Sequence, residues 1–343
     1  MFEHIKPGPP DPMFDLKRDS DNDHSSEKVD LGVGIYRNES GLYQELEVVK
    51  LISSVQTISG TGANALGALL ISKAMSPNKK VYVSTPTWGN HFDIFHNVDM
   101  ETVSYPYLDS SKHAVNFDAL LEAVRTAPQG SIFILQGCCH NPSGVDLSVE
   151  QWQELATEMK SHGQLPFFDT AYQGLGDGFD EDAAGVRIFV EAGLEMLVLA
   201  DSTEVAANVK DRLRSLIRYT YSSSPAYGSR LVKIVLSNRE LRNAWTLELE
   251  GMRERLKRNR QALYSELRNV LKTPGDWSHL TQEKGLFSCL ALSPAQCKTL
   301  VTKCHVHLPG SGRINVAGLS EDNVRRAAKA IDEVIRQTVQ EKL

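Results

Sequence analysis

The sequence predicts an α/β protein with a mostly parallel sheet covered by helices on both faces, together with a small α+β domain. Between residues 56 and 202, short apolar strand-like runs alternate with amphipathic helical segments. Such alternation is typical of parallel sheets, because a helix usually connects consecutive parallel strands. After residue 204 the chain becomes rich in helices, and short strand-like runs return near 285–318.

Each predicted element has its own local signal. Runs rich in Val, Ile, Phe and Tyr predict the strands VYVS (81–84), TVSYPYL (102–108), SIFILQ (131–136), LPFFD (165–169) and MLVLA (196–200). Helical spacing of apolar residues predicts helices at 63–75, 117–127, 148–162, 181–193, from 204, near 225–237 and over 239–272. Ser148 with Gln151 fits a capping box, which fixes one helix start. GLFSCLAL, VHLP and RINVAG predict further short strands.

The composition is that of an ordinary globular protein. The chain has 343 residues, of which 41% are hydrophobic and 23% charged, and its net charge is −6. The length predicts about two domains. Because there is no basic stripe, nucleic acid and anionic membranes are disfavoured as partners. No apolar run approaches the ~20 residues of a membrane helix. The first 28 residues resemble neither a signal peptide nor a transit peptide, so a cytoplasmic location is expected ahead of a mitochondrial one.

Cysteine and histidine usage predicts neither a disulfide framework nor a metal site. The five cysteines are an odd number and include no CxxC pair. CHVH (304–307) offers three possible metal ligands, but its alternation around Val306 favours a strand.

SGTGA (59–63) opens a predicted helix and could cradle a phosphate. Its two glycines leave backbone N–H groups bare, and Ser59 and Thr61 add hydroxyls at the positive end of the helix dipole. A plain turn explains the motif about equally well. The glycine spacing is not GxGxxG, so a dinucleotide is disfavoured.

Polar and aromatic groups follow three predicted strands, at the edge where ligands bind in such sheets. Trp88 follows the first, although packing is the commoner role of a tryptophan there. Asn141 follows SIFILQ in a tight turn set by its neighbouring proline and glycine. Asp169 ends LPFFD, with Tyr172 three residues later. A buried carboxylate there needs a cation, such as a protonated pyridine nitrogen, unless it only caps the following segment.

Two arginines stand out near the predicted site elements. Arg313 begins a short strand and Arg218 follows an amphipathic helix. Either one alone is most often a solvated surface residue. Because guanidinium groups bind carboxylates in a bidentate manner, the two together suit a dicarboxylate.

In this order, the segments resemble the aspartate aminotransferases of the fold-type I pyridoxal-phosphate class. The matching strings are DLGVGIYRNESG, VQTISGTGA, VYVSTPTWGNH, CCHNPSGVD, PFFDTAYQG, YSSSPAYGSR and GRINVAGL. They cover nearly the whole chain. The resemblance implies a fold-type I transferase with an N-terminal arm (1–28), a small domain (29–50 and 240–343) and a large cofactor-binding domain (51–239).

The resemblance implies pyridoxal 5′-phosphate as the cofactor. The phosphate would be held by Ser59, Gly60, Thr61 and Ser202. Trp88 would stack on the pyridine ring, with His91 beneath the cofactor near Asp169. Asp169 would keep the ring nitrogen protonated, while Asn141 and Tyr172 would hydrogen-bond the phenolic oxygen.

The resemblance also implies a dicarboxylic substrate and a homodimer. The substrate-contacting residues would be Gly34, Trp88, Asn141, Arg218 and Arg313. Arg313 would bind the α-carboxylate, and Arg218, from the other subunit, would read the distal carboxylate near Ser222.

The chain departs from the family at its most important residue. After the strand that carries Ser202, the family has an S-x-x-K-x-x-G-L-Y-x-x-R-x-G loop, whose lysine forms a Schiff base with the cofactor and moves the proton. Here the sequence passes from Thr203 to Glu204 without that loop, so no catalytic lysine can be assigned. A second break lies at Lys50–Leu51, and such clean cuts are typical of missing exons or of a faulty gene model rather than of gradual divergence. Lys210 lies on the polar face of a helix and is expected to be a solvated charge.

Two functions follow from these observations. The first is aspartate aminotransferase by descent, which exchanges amino groups between aspartate and 2-oxoglutarate. The second is a catalytically dead family member that binds the cofactor weakly or pairs with another subunit. A dehydrogenase is a poor third possibility because of the glycine spacing.

Overall fold

The structure, a computed structural model, describes residues 55–74, 80–194 and 203–340. By its contacts the chain divides into two units, Met1–Ala74 with Val198–Ala226 and Met75–Leu197 with Tyr227–Leu343. The predicted arm, the predicted strand at 196–200 and the break at Lys50–Leu51 lie outside the described residues. The predicted three-part domain division stays a prediction.

A four-stranded parallel sheet lies at the centre of the second unit. The strands of this unit are β1 (Val81–Thr85), β2 (Thr102–Pro106), β3 (Leu108–Asp109), β4 (Ala114–Val115), β5 (Ile132–Gln136), β6 (Leu165–Asp169), β7 (Phe287–Cys289) and β8 (Arg313–Asn315). The order in the large sheet is β2-β1-β5-β6, and every pairing is parallel. β3 pairs with β4 and β7 with β8, both antiparallel. The four strands predicted between 81 and 169 are thereby confirmed.

Helices connect the strands as the periodicity predicts. They are α1 (Ser59–Ala74), α2 (Asn90–His96), α3 (Phe117–Thr126), α4 (Val149–Ser161), α5 (Ala184–Glu191), α6 (Thr203–Tyr221), α7 (Tyr227–Ser237), α8 (Arg239–Ser265), α9 (His279–Gln282), α10 (Pro294–Cys304) and α11 (Val324–Gln340). The capping box of α4 is confirmed, because Ser148 Oγ accepts from the Gln151 N–H at 3.2 Å and Gln151 Oε1 accepts from the Ser148 N–H at 2.9 Å. None of the described helices is long and apolar enough to span a membrane.

Alternate residues of the central strands face two separate apolar layers. The ring of Phe168 in β6 contacts the ring of Phe189 in α5 edge-on, with 5.1 Å between the ring centroids. Both rings lie in the core that α3, α4 and α5 form on one face. Phe167, the neighbour of Phe168, contacts Phe95 of α2 at 5.6 Å on the other face. Burial of each such side chain contributes about 1.5–3 kcal/mol. The prediction of helices on both faces is therefore confirmed.

One local prediction is wrong. The strand predicted at VHLP does not form, because α10 ends at Cys304 and His305 takes a left-handed conformation (φ 56°) that starts an irregular segment. The helical pattern at 63–75 is confirmed, and SGTGA opens the helix at Ser59, as the sequence predicts.

Candidate functional site

The carboxyl ends of β1, β5 and β6 meet at one edge of the parallel sheet, as the sequence predicts. Gln136 and Asp169, the last residues of β5 and β6, are partners in register. The segments after these strands carry Trp88, Asn141 and Tyr172. Four of the predicted site residues thus come from neighbouring strand ends.

A buried histidine holds Asp169 at this edge. His91 Nε2 lies 2.9 Å from Asp169 Oδ2, and its side chain is 1% exposed. His91 Nδ1 lies 2.9 Å from Thr87 Oγ1, which also accepts from Gln136 Nε2 at 3.3 Å. Because the Thr87 hydroxyl accepts from Gln136, it is free to donate to Nδ1, and the His91 Nε2–H then donates to Asp169. The histidine thus orients the carboxylate.

The carboxylate of Asp169 keeps a face open to a ligand. Its side chain is 18% exposed, and its bond to His91 uses one oxygen. Trp88 lies beside the pair, with its ring edge-on to His91 at 5.3 Å. A negatively charged oxygen next to an indole ring suits a flat, protonated heterocycle such as the pyridinium of pyridoxal phosphate. The residues present fit the ring of that cofactor.

The turn after β5 is fixed by a carboxylate from further along the chain. Asp146 accepts from the backbone N–H groups of Cys139 at 2.7 Å and His140 at 2.9 Å. His140 is buried between two serine hydroxyls and stacks on Tyr107 at 4.1 Å. Burial lowers the pKa of His140 to about 3, and the nearby His91 adds to this effect. A neutral, fully bonded His140 makes the turn rigid and so fixes Asn141.

Asn141 joins the sheet edge to Arg313 of β8. Arg313 Nη1 donates to Asn141 Oδ1 at 3.1 Å. The guanidinium lies 4.6 Å over the Phe287 ring, which meets Tyr172 edge-on at 5.5 Å. Burial raises the pKa of Tyr172, and the charge of Asp169 raises it further. A guanidinium, an amide and a phenol therefore converge beside Asp169.

Several predicted site residues belong to the first unit or are not described. Ser59, Gly60 and Thr61 are exposed in the first turn of α1, where N–H groups and hydroxyls suit a phosphate. Arg218 is exposed near the end of α6 and donates to Ser222 Oγ at 2.5 Å. Gly34 and Ser202 lie outside the described residues. The roles of these six predicted site residues stay predictions.

No lysine belongs to the strand-edge cluster in the part of the chain that the structure describes. The hydrogen bonds and ion pairs of His91, Asn141, Asp169 and Arg313 include none. α6 begins at Thr203, one residue after Ser202, so a lysine-bearing loop has no room before the helix.

The potential metal ligands that approach one another lie away from CHVH. Among the described residues, two groups have ligand atoms within 4.8 Å of one another. One group is His113, His279 and Glu283, and the other is Cys138, Cys139 and Asp182. Both carboxylates already accept hydrogen bonds, from Arg260 and from three backbone N–H groups respectively.

The sequence reasoning missed Thr87, Gln136 and Phe287. Thr87 and Gln136 form the network behind His91, and Phe287 supports Arg313. Gln136 could have been found, because it ends a strand at the same edge as Asp169. In the sequence, Phe287 is simply one apolar residue of a predicted strand, and nothing there indicates a contact with Arg313.

A parallel sheet with an aspartate–histidine pair at its carboxyl edge, beside an asparagine bonded to an arginine, is what the resemblance to the α/β pyridoxal-phosphate enzymes leads us to expect. The family model "Aminotransferase class I and II" matches residues 36–331, and the chain belongs to this family. Pyridoxal phosphate is its cofactor, and the family's enzymes are aminotransferases.

Curated relatives match over nearly their full length. The chain is 42% identical to the aminotransferase tasG of Hapsidospora irregularis, over 98% of this chain and 97% of tasG. It is 34% identical to an aspartate aminotransferase of Haemophilus influenzae, over 98% of this chain and 100% of that protein.

Solved structures match as broadly. The aspartate aminotransferase of Saccharomyces cerevisiae cytoplasm gives a TM-score of 0.81 at 33% identity, over 98% of this chain and 99% of that one. An aromatic-amino-acid aminotransferase from Burkholderia pseudomallei, covalently bound to pyridoxal phosphate, gives 0.79 at 32% identity, over 98% and 99%.

The relatives differ in how many residues they have beyond this chain. The alignment to tasG spans 357 positions, whereas those to aspartate aminotransferases from Lupinus angustifolius and Saccharomyces cerevisiae span 394 and 416, over similar shares of this chain. The longer alignments contain more residues that this chain lacks. tasG therefore has far fewer insertions relative to this chain than the aspartate aminotransferases do.

Proposed function

We propose that this chain has the substrate site of an aspartate aminotransferase, an enzyme that exchanges amino groups between L-aspartate and 2-oxoglutarate to give oxaloacetate and L-glutamate. The observation that carries the proposal is the Arg313–Asn141 pair beside the Asp169–His91 pair. The first pair offers a cation to a carboxylate, and the second offers an anion to a pyridinium. Their adjacency is what an amino acid bound to pyridoxal phosphate requires.

Each residue has a definite task in this proposal. Asp169 holds the proton on the ring nitrogen, and Trp88 covers the ring. Arg313 binds the α-carboxylate, and its hydrogen bond to Asn141 holds the guanidinium in place. Arg218 of a second subunit reads the distal carboxylate. When bound, pyridoxal phosphate supplies the electron sink for proton removal at the α-carbon.

A second candidate is a member of the family that binds ligands without turning over. The start of α6 at Thr203 favours it, since the lysine-bearing loop has no place there. Loss of the lysine removes both covalent attachment and the general base. General acid–base catalysis alone contributes about 10²–10⁴-fold. We therefore expect amino transfer by this chain to be nearly undetectable. We also propose, on the resemblance to the aspartate aminotransferases, that the chain forms a homodimer and that it acts in the cytoplasm.

Binding and turnover distinguish the two candidates. We expect titration calorimetry with 2-oxoglutarate, on protein saturated with pyridoxamine phosphate, to show binding. Arg313→Gln should weaken that binding about 10–100-fold, because a charged hydrogen bond contributes roughly 1.5–3 kcal/mol. Arg326→Gln, an exposed arginine on α11, serves as the control.

Oxaloacetate formation from aspartate and 2-oxoglutarate is then measured with the same protein. Binding with turnover supports an active aminotransferase, and binding without turnover supports the second candidate. If 2-oxoglutarate does not bind, or binds equally to the Arg313 variant, the proposed substrate site is wrong.

A further inference from the structure

One buried guanidinium ties the segment that leads into β7 to the long helix α8. Arg260 is 3% exposed, and its Nη2 donates to the carbonyl oxygens of Phe287 at 2.6 Å, Gly285 at 3.1 Å and Lys284 at 3.3 Å. Its Nη1 donates to Glu283 Oε2 at 3.1 Å. A single side chain thus contacts four of the five residues from 283 to 287.

Glu283 completes the arrangement as a buried counter-charge. Its side chain is 3% exposed, and the Ser288 hydroxyl donates to the same oxygen that pairs with Arg260. Burial raises the pKa of Glu283 to about 7, although Ser288 and Arg260 act in the opposite direction. A buried pair of this kind often stabilises a fold no more than apolar residues of similar volume would. Its most direct physical effect is to hold the backbone at 283–287 in one position.

That backbone segment supports the carboxylate-binding side of the site. The ring of Phe287 lies under the Arg313 guanidinium at 4.6 Å, and Cys289 is the register partner of Arg313 across β7 and β8. The Lys284 N–H donates to the Gly144 carbonyl at 2.7 Å.

Gly144 ends the turn that bears Asn141, and the contact between turn and segment is close. A Cβ atom at Gly144 would lie 2.5 Å from the Phe287 carbonyl oxygen, and Gly144 has a φ of +70°. The segment at 283–287 therefore contacts Arg313 through the Phe287 side chain and, through its backbone, Gly144 of the turn that bears Asn141.

We propose that Arg260 and Glu283 are positioning residues for substrate, which hold Phe287 so that Arg313 stays in hydrogen-bond reach of Asn141. The proposal rests on the proposed function of Arg313. Neither residue touches the substrate. The Asp169–His91 pair is built from β6 and α2 with support from Thr87 and Gln136, and its hydrogen bonds do not involve the 283–287 segment. The Arg260–Glu283 pair should therefore affect carboxylate binding much more than cofactor binding, to which Asn141 and Tyr172 are expected to add only their bonds to the phenolic oxygen.

Arg260→Met tests this positioning role, because its effect on 2-oxoglutarate affinity can be compared with its effect on pyridoxal phosphate affinity. Methionine keeps much of the side-chain length and removes the charge and all four hydrogen bonds. We expect 2-oxoglutarate affinity to fall at least about tenfold, whereas pyridoxal phosphate affinity changes less than about twofold. Arg253→Met, on the same helix and paired with Glu250 instead, is the matched control. A purely structural role would change the unfolding midpoint while leaving 2-oxoglutarate affinity unchanged, and that result would overturn the proposal.

A crystal structure of the same variant gives a second readout that needs no substrate. The proposal expects the distance between Arg313 Nη1 and Asn141 Oδ1 to exceed hydrogen-bond range. A retained bond contradicts the positioning role of Arg260 and Glu283, whether or not the protein binds 2-oxoglutarate. If the unsubstituted protein binds no 2-oxoglutarate, the proposed substrate role of Arg313 is wrong, and this is a separate result. If Arg260→Met does not fold, Glu283→Gln, which removes only the counter-charge, is measured in the same two ways. We expect Glu283→Gln to lower 2-oxoglutarate affinity and to lengthen the Arg313–Asn141 distance, both by less than Arg260→Met does.

Discussion

Asp169 and His91 determine what the edge of the sheet can bind. The histidine is buried and its two nitrogens are both engaged, so it cannot turn away from the carboxylate. The carboxylate is partly exposed, and one of its oxygens is bonded to the histidine. A charge fixed in this way favours a cationic ring over a neutral one.

Asp169→Asn tests this electrostatic role. The amide keeps the shape but lacks the negative charge that pairs with a pyridinium, so pyridoxal phosphate affinity should fall about 10–100-fold. Equilibrium dialysis measures the affinity directly. Asp180→Asn, an exposed aspartate paired with Arg187, should leave affinity unchanged. Equal affinity in the Asp169 variant would mean that this carboxylate does not meet the ring nitrogen.

Residue types at strand ends made part of the site predictable. Asn141, Asp169 and Arg313 carry chemistry that is unusual next to apolar strands. Gln136 could have been added on the same ground, because it ends a strand at this edge, whereas Thr87 carries no such signal, because its role depends on the path of the turn after β1. Phe287 could not be distinguished from any other apolar strand residue, since its role is to lie under a guanidinium from another strand.

Elements with capping signals were predicted to within one or two residues. Ser148 fixed the start of α4, because an N-cap hydroxyl satisfies a backbone N–H that has no partner inside the helix. The predicted VHLP strand failed because four alternating residues also fit an irregular segment after a left-handed helix cap.

Ser148→Ala should lower the free energy of unfolding by about 1 kcal/mol, since it removes one half of the capping box. Urea denaturation monitored by circular dichroism measures the change. Ser161→Ala, at the other end of α4, removes an exposed hydroxyl bond to Glu158 and should cost less. A larger loss at Ser161 would show that the cap does not stabilise the helix.

For the whole molecule, buried histidines couple stability to pH. Burial lowers the pKa of His140 to about 3 and that of His279 to about 4, below the ordinary 6.5. Between those values and 6.5 the unfolded chain binds protons that the folded chain does not, so the free energy of unfolding falls as pH falls. Glu283, whose pKa is raised to about 7, has the opposite effect between pH 4.5 and 7, because there the folded chain binds a proton that the unfolded chain does not. This one proton only partly offsets the two protons of the histidines.

His279→Phe should therefore make the pH dependence shallower between pH 6.5 and 4. The expected reduction is up to about 1.4 kcal/mol per pH unit, the value of one proton. Urea unfolding at several pH values gives the slope. His96→Gln, at an exposed position on α2, should not reduce it as much. An unchanged slope in the His279 variant would show that His279 takes up its proton equally in both states.

We propose that this member of the aminotransferase family has ring and carboxylate sites but lacks the lysine that binds the cofactor covalently. The most direct test adds pyridoxal phosphate, reduces with borohydride and measures the intact mass and the modified peptides. We expect reversible binding that requires Asp169 and no stoichiometric covalent addition at any single lysine. Stoichiometric labelling of one lysine, lost in Asp169→Asn, would contradict it and identify the residue that has replaced the family's lysine.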